Sequence, residues 1–550
     1  MKIALAQLNY HVGNFDANIE KIILSVEKAK LQNAEIVVFS ELSVCGYPPL
    51  DLLEHKNFIE KCENAVNRIA NHSFGIGILI GSPMRNAAER GKMLLNSALF
   101  LHNGTVVDTF HKTLLPTYDI FDEYRYFEQN NIFHLLHFNG KKIAVTICED
   151  LWDTVVVENS FSKGKLYKQA PMEQLAPLQP DVIINIAASP FSYDKDHLRN
   201  RVLQENAMRW QLPIIYVNHV GANTEIIFDG ASKILNSKGQ ILHSLKSFAE
   251  DFIVFDIEKN NSENPVNYSI NSKIEKIHDA LILGLRDFFR KNGFKTATLG
   301  LSGGIDSAVV LALASEAIGS QNIRVLLLPS EFSSQHSIID AIALAENLGV
   351  KYDIVKIQEP FDAFKKVLNP LFYDLPFGLA EENMQARIRG SLLMAVSNKF
   401  GNILLNTSNK SEAAVGYGTL YGDMNGALSV LGDVYKTDVF SLAKYINRNE
   451  EIIPVNTITK APSAELRPDQ KDSDSLPEYD ILDKILFAYI EQKLTVEEIV
   501  AMDFDRQTVE RTIKMVNNNE FKRFQSPPIL RISSKAFGLG RRMPLVAKYQ

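Results

Sequence analysis

The chain has 550 residues, 46% of them apolar and 22% charged, with a formal net charge of −7. That length and composition call for two or more globular domains, each with its own core. The acidic balance argues against nucleic acid or an anionic membrane as a partner, and no apolar run approaches the length of a membrane span. The three cysteines, Cys45, Cys62 and Cys148, are too few and too scattered for a disulfide framework or a zinc site. The opening run Met1-Lys2-Ile3-Ala4-Leu5-Ala6-Gln7 has a strand pattern and lacks the layout of a secretory leader, so a cytoplasmic enzyme is expected.

From residue 1 to about 258, short apolar runs predict strands at 2–8, 35–40, 75–81, 97–102, 106–110, 142–147, 181–187, 213–218, 225–228 and 252–257. Asn103-Gly104 is a hairpin turn signal, and Ser237-Lys238-Gly239 suggests another. Helical periodicity is present at 18–31 and 197–210, so a mixed α/β sandwich fits this half. The polar, Asn-rich stretch 259–271, which contains Pro265, reads as a linker between a domain at 1–258 and one at 272–550. Beyond it the rhythm changes to helix 272–291, strand 298–301, helix 308–318 stopped by Gly319, strand 324–328, helix 338–348 ended by Gly349, and strand 352–357. A long helix at 382–400, ended by Gly401, leads into strand 402–406, and 480–550 reads as helical and then irregular. Such alternation implies a parallel sheet with ligands at the carboxyl ends of its strands.

Three polar residues close strands in the first half: Glu41, Lys112 and Cys148. Taken singly, each has an ordinary explanation, as a packed cysteine or a solvated charge. Their surroundings are Phe39-Ser40-Glu41-Leu42, His111-Lys112-Thr113-Leu114-Leu115-Pro116 and Ile147-Cys148-Glu149-Asp150-Leu151-Trp152. In order and content these resemble the three motifs of the nitrilase (carbon–nitrogen hydrolase) superfamily. The resemblance implies an α-β-β-α sandwich in which Cys148 attacks an amide carbon, Glu41 takes the thiol proton and later activates water, and Lys112 stabilises the oxyanion. It further implies Glu123 as a second carboxylate that helps orient Lys112 and the substrate glutamine. In the glutaminase branch, positions matching Tyr118, Ser189 and Lys195 grip the substrate glutamine.

The second half carries Gly300-Leu301-Ser302-Gly303-Gly304-Ile305-Asp306-Ser307 between a strand and a helix signal. Strand, glycine loop and helix form a geometry that holds an anion on backbone N–H groups, with the Ser302 and Ser307 hydroxyls as further donors. Asp306 would repel phosphate directly but suits a Mg²⁺ held between carboxylate and phosphate. The Gly-Lys-Ser/Thr ending of a P-loop is absent. The loop resembles that of enzymes that split ATP between its α- and β-phosphates to adenylate a substrate.

Further along stand Asn383-Met384-Gln385-Ala386-Arg387-Ile388-Arg389, Asn406-Thr407-Ser408-Asn409-Lys410-Ser411-Glu412, Gly416-Tyr417-Gly418, Tyr421-Gly422-Asp423, Lys436 and Ala461-Pro462-Ser463-Ala464-Glu465-Leu466. The ordered set resembles the NAD synthetases, with a Rossmann-like parallel-sheet ATP-pyrophosphatase domain. That resemblance implies ATP contacts from the 300–307 loop, Thr407, Lys436 and Ser463. It implies deamido-NAD⁺ contacts from Asn383, Arg387, Glu412 and Lys522, and Mg²⁺ at Asp306 and Glu412. The ammonia-using members place a lysine before their Tyr-Gly-Asp, where this chain has Leu420; Lys522 is the candidate replacement cation.

A nitrilase-type glutaminase followed by an NAD synthetase is the layout of the glutamine-dependent NAD⁺ synthetases. It implies that glutamine hydrolysis feeds ammonia to adenylated deamido-NAD⁺, and that the chain forms a homo-oligomer through the synthetase domain. Two rival readings are a tRNA-modifying or other glutamine-fed ligase, against which the acidic charge argues, and a catalytically dead scaffold, which would keep a nucleophile, a base and paired carboxylates without using them.

Overall fold

A computed structural model describes residues 1–153, 166–259, 272–373, 375–468 and 470–548. The chain divides into two compact units, Met1–Ile270 and Asn271–Gln550. The expected linker at 259–271 lies, apart from Lys259, outside the described residues.

The first unit holds two six-stranded sheets. In one, the order is Asp251–Asp256, Lys2–Gln7, Ile36–Val38, Gly77–Arg85, Leu94–His102 and Thr105–His111. In the other it is Ile241–Ser244, Lys233–Leu235, Ile214–Asn218, Val182–Ala187, Lys141–Ile147 and Leu136–Phe138. The pleat explains the layers. Ile3 and Leu5 share a core with Ile143, Val145 and Ile184 of the second sheet, whereas Ala4 and Ala6 pack with Ile19, Ile22 and Val26 of helix Phe15–Leu31. Helix Lys56–Ala70 covers the same outer face through Ala65, Val66 and Ile69. Its apolar residues recur at three- and four-residue spacing, a signal in the sequence that the expected elements omit. Also unforeseen are the strands Leu136–Phe138 and Val220–Asn223, too short to carry a periodic signal, whereas Lys233–Leu235 and Ile241–Ser244 pair antiparallel across the turn expected at Ser237-Lys238-Gly239. The Asn103-Gly104 turn forms as expected, with both residues at positive φ (50° and 83°).

In the second unit, five parallel strands lie in the order Lys351–Ile354, Ile323–Leu327, Ala297–Gly300, Ile403–Asn406 and Leu428–Ser429. The chain enters at the centre, builds outward on one side and then crosses to the other. The connections after Ala297–Gly300 and Ile403–Asn406 therefore diverge and leave a crevice at their carboxyl ends. Helix Ile305–Ile318 starts three residues before the expected 308 because Gly304 is its N-cap. Asp306 and Ser307 thus lie in a first helical turn rather than in a loop. Helix Gln358–Phe372 was not expected; Pro370 near its end weakens the sequence signal.

Candidate active sites

In the first unit Cys148 sits where strand Lys141–Ile147 turns into the 3₁₀ helix Cys148–Leu151, at φ 45°. A non-glycine residue in that region costs roughly 1–2 kcal/mol and persists where surrounding bonds hold it. Asp150 supplies them. One of its oxygens accepts the Ile147 N–H at 3.0 Å, and the other accepts the N–H groups of Thr113 and Leu114 at 3.0 and 2.9 Å. One carboxylate thereby ties the cysteine turn to the segment that follows Lys112.

Glu41, Lys112 and Glu123 come together, fully buried. The Lys112 ammonium donates to Glu41 at 2.7 Å and to Glu123 at 2.8 Å, with Lys112 1% exposed and Glu41 0%. Tyr47 donates its hydroxyl to Glu123 at 2.9 Å, and the Ala188 N–H donates to Glu41 at 3.0 Å. Burial alone would lower the Lys112 pKa, but the carboxylates of Glu123 and Glu41 reverse this, and the ammonium titrates well above the usual lysine range. Burial pushes Glu123 up to about 7 against the pull of Lys112. Burial and the neighbouring Glu41 charge hold the Cys148 thiol well above its ordinary value, so at rest it is protonated and needs a base to become a nucleophile.

The other expected contacts flank this trio. Tyr118 donates to Glu149 at 2.7 Å, Tyr167 donates to the same oxygen at 2.9 Å, and burial raises the Glu149 pKa. Lys195 lies 3.5 Å from Asp119, and the Ser189 N–H donates to Asn218 at 2.8 Å. Asn96 and Tyr47 are not singled out by the sequence, because an isolated buried Asn or Tyr carries no local signature, and Asp150 stands inside the Cys148 motif with no role read for it there.

In the second unit the crevice is a cavity of about 690 Å³, lined by Gly300, Leu301, Ser302, Gly304, Ile305, Asp306 and Ser307 on one side and by Thr407, Glu412, Lys436 and Ser463 on the others. Gly303 is the member of the loop that does not reach it. Its φ is 81°, and a Cβ there would fall 2.1 Å from the Ser337 carbonyl oxygen, so this glycine permits close packing rather than close approach to a ligand. The Ser302 hydroxyl accepts the Gly304 N–H at 3.1 Å, and the Ser307 hydroxyl donates to the Gly304 carbonyl at 3.1 Å.

Lys436 is buried, paired with Asp306 and 3.4 Å from Glu412. Asn409 links both carboxylates: its Nδ2 donates to Asp306 at 2.9 Å and its backbone N–H donates to the Glu412 carboxylate at 3.3 Å, while its Oδ1 accepts the Glu412 N–H at 3.0 Å as the cap of helix Lys410–Val415. Burial and the charge of Asp306 raise Glu412 to about 8 despite Lys436. Among the described residues no group of three or more His, Cys, Asp or Glu makes a ready metal site. Asp306 and Glu412 nonetheless converge on one cation, Lys436, and two carboxylates completed by phosphate oxygens form a donor set suited to a hard divalent ion.

Asn383, Arg387 and Lys522 do not line the cavity. Arg387 is exposed and donates to the Leu420 carbonyl at 3.2 Å, and the Asn383 side-chain oxygen accepts the Thr419 hydroxyl at 2.7 Å. Lys522 donates to the carbonyls of Gly416 and Gly418 at 2.7 and 2.8 Å. All three brace the 416–420 segment. The arginines on the cavity wall are Arg389, which burial pushes down to about 10, and Arg467.

The family model described as Carbon-nitrogen hydrolase matches residues 2–264, and that described as NAD synthase matches 277–526. The chain is 44% identical to the Glutamine-dependent NAD(+) synthetase of Synechocystis sp., across 100% of this chain and 99% of that protein. It is 41% identical to the protein of the same name from Acinetobacter baylyi, across 99% and 98%. Among solved structures it resembles the glutamine-dependent NAD+ synthetase from Acinetobacter baumannii in complex with adenosine diphosphate. The TM-score is 0.77 at 39% identity, covering 99% of this chain and 98% of that one.

Proposed function

We infer the function from one premise: the chain belongs to the glutamine-dependent NAD(+) synthetase family. On that basis it is an ATP-dependent ligase that hydrolyses glutamine in the first unit and uses the ammonia to convert deamido-NAD⁺ to NAD⁺ in the second. The observation that carries this reading is the buried Lys112 ammonium shared by Glu41 and Glu123 beside the strained Cys148 turn. A desolvated cation held between two carboxylates suits stabilisation of an oxyanion next to a nucleophile.

As the Cys148 sulfur bonds to the glutamine amide carbon, its proton passes to Glu41, and Lys112 offsets the charge that develops on the amide oxygen. The C–N bond breaks, and the departing nitrogen takes the proton from Glu41 as ammonia. Water then gives a proton to Glu41 and attacks the thioester, which frees glutamate and restores the thiol. Tyr118, Glu149, Ser189 and Lys195 are the groups we assign to the amino acid end of glutamine.

In the second unit the dinucleotide carboxylate attacks the ATP α-phosphate, pyrophosphate leaves, and ammonia displaces AMP. The loop serines, which line the cavity, would meet the phosphates, Thr407 and Ser463 would meet the nucleotide, and Lys436 would offset charge on the departing pyrophosphate. Asp306 and Glu412 would hold Mg²⁺, which when bound supplies charge neutralisation to the phosphate oxygens. Asn383, Arg387 and Lys522 would reach the dinucleotide through the 416–420 segment they brace. We also propose a cytoplasmic homo-oligomer joined through the second unit. The three free cysteines and the exposed apolar Phe364, Val367 and Leu371 on helix Gln358–Phe372 support that expectation.

The test is Cys148→Ala assayed with glutamine and, separately, with ammonium salts. Glutamine-driven NAD⁺ formation should vanish while ammonia-driven synthesis persists. Equal loss of both would sink the two-site reading.

A further inference from the structure

Asn96 lies on strand Leu94–His102, 1% exposed, in the midst of the trio. Its Nδ2 donates to Glu41 Oε1 at 2.7 Å and reaches Glu123 Oε2 at 3.5 Å. The Lys112 ammonium donates to the same Glu41 Oε1 at 2.7 Å, whereas among the described residues Glu41 Oε2 accepts one donor, the Ala188 N–H at 3.0 Å. Each carboxylate oxygen offers two lone pairs. Both pairs of Oε1 are therefore engaged, and one pair of Oε2 is open.

We propose that Asn96 is a positioning residue that makes Oε2 of Glu41 the atom that accepts the Cys148 proton. The inference rests on the reading of Glu41 as general base. The proton moves from sulfur to Oε2 as the S–C bond forms, and leaves Oε2 with the departing amide nitrogen as the C–N bond breaks. Without the Asn96 donor, Oε1 would have an open lone pair beside Lys112, and the proton could settle there, hydrogen-bonded into the ion-pair network and directed away from the leaving group.

A second feature agrees. The Asn96 Oδ1 is buried with no hydrogen-bond partner among the described residues. A side chain kept only to satisfy its surroundings would not carry that desolvation cost; this one is oriented by charge-assisted donation to two carboxylates. Asn96 has no charge of its own, so its removal leaves the groups that face Glu41 as they are: Lys112, Glu123, Cys148 and Tyr47.

The experiment uses the full chain carrying Asn96→Leu, with Asn96→Val as a second uncharged variant that also removes the donor. Glutamine-dependent kcat should fall about tenfold or more with the glutamine KM held within about twofold, as expected for loss of general-base efficiency. The acid limb of the kcat profile should move to higher pH, because the carboxylate has lost a donor to its charged form. The pH profile of Cys148 alkylation by iodoacetamide should move the same way, and ammonia-driven synthesis should be unchanged. The proposal is overturned if kcat and both profiles stay at wild-type values. It is equally overturned if both nitrogen sources fail together, or if neither variant gives the native tryptophan fluorescence, since Asn96 would then be structural. Glu41→Gln separates the two readings: full glutamine turnover in that variant would remove Glu41 from the mechanism whatever the Asn96 variants do.

Discussion

Glu465 holds Ser334 by two hydrogen bonds, accepting its backbone N–H at 3.2 Å and its hydroxyl at 2.6 Å. Ser334 is the N-cap of helix Gln335–Leu348, and Ser337 in the first turn of that helix donates its hydroxyl to Glu465 at 2.8 Å. A carboxylate at a helix N-terminus is favoured by the orphan N–H groups and the helix dipole, and here it offsets the strain of Glu465 at φ 49°. Glu465, Ser334, Ser337 and Ser463 all line the cavity, so the contact shapes the wall of the proposed nucleotide site.

Glu465→Ala should therefore raise the KM for ATP by about tenfold, the scale of a lost charge-assisted hydrogen-bond set. Glutamine hydrolysis without ATP should not change. Steady-state kinetics with ATP varied is the check, and an unaltered ATP KM would remove Glu465 from the site.

Asp306→Asn keeps the shape of the first helical turn but removes one of the two carboxylates that converge on Lys436. NAD⁺ formation from glutamine and from ammonia should both fall by about 100-fold or more, the scale of lost electrostatic stabilisation at a transferring phosphoryl group. Glutamate release should remain measurable. Retained ammonia-driven synthesis would contradict the assignment.

Lys112→Met leaves Glu41 and Glu123 buried without their cation. Breaking a buried pair by deleting one partner costs about 3–5 kcal/mol. Both tryptophans, Trp152 and Trp210, lie in the first unit, so tryptophan fluorescence in a urea titration reads that unit's unfolding selectively. The midpoint should drop, and adding Glu123→Gln should recover part of the loss. An unchanged midpoint would mean that the pair is not buried as described.

The pH dependence of that transition has a definite sign. Burial holds Glu123 at about 7 when folded, above its ordinary value of 4.5. Between those values the folded chain holds a proton that the unfolded chain has lost, so stability falls as pH rises from about 4.5 to about 7 and levels off above. Glu123→Gln cannot titrate there. The wild-type urea midpoint, taken relative to that variant, should be higher at pH 5 than at pH 8, and the opposite order would contradict the raised pKa.

Local signals carried much of the fold. The helices ending at Gly349 and Gly401, and the Asn103-Gly104 hairpin, follow from backbone preferences within a few residues. The same holds for Glu41, Lys112 and Cys148, since each closes an apolar strand and brings neighbours of a recognisable kind. Helix Gln358–Phe372 escaped because of its internal proline, and strands Leu136–Phe138 and Val220–Asn223 because too few positions exist to show alternation.

From the sequence alone came the order of the two domains, the chemistry of each and the residues at the strand ends that perform it, because motifs and periodicity are properties of neighbouring positions. Only the tertiary structure decided how those residues are charged and aimed. Asn96 meets Glu41 from 55 positions away, Asn409 meets Asp306 from 103, and Lys436 meets Asp306 from 130. It also put Arg389 and Arg467 on the cavity wall, and Arg387 and Lys522 against backbone carbonyls of the 416–420 segment. Burial and hydrogen bonding depend on which segments the sheets bring together, and one-dimensional spacing carries no record of that.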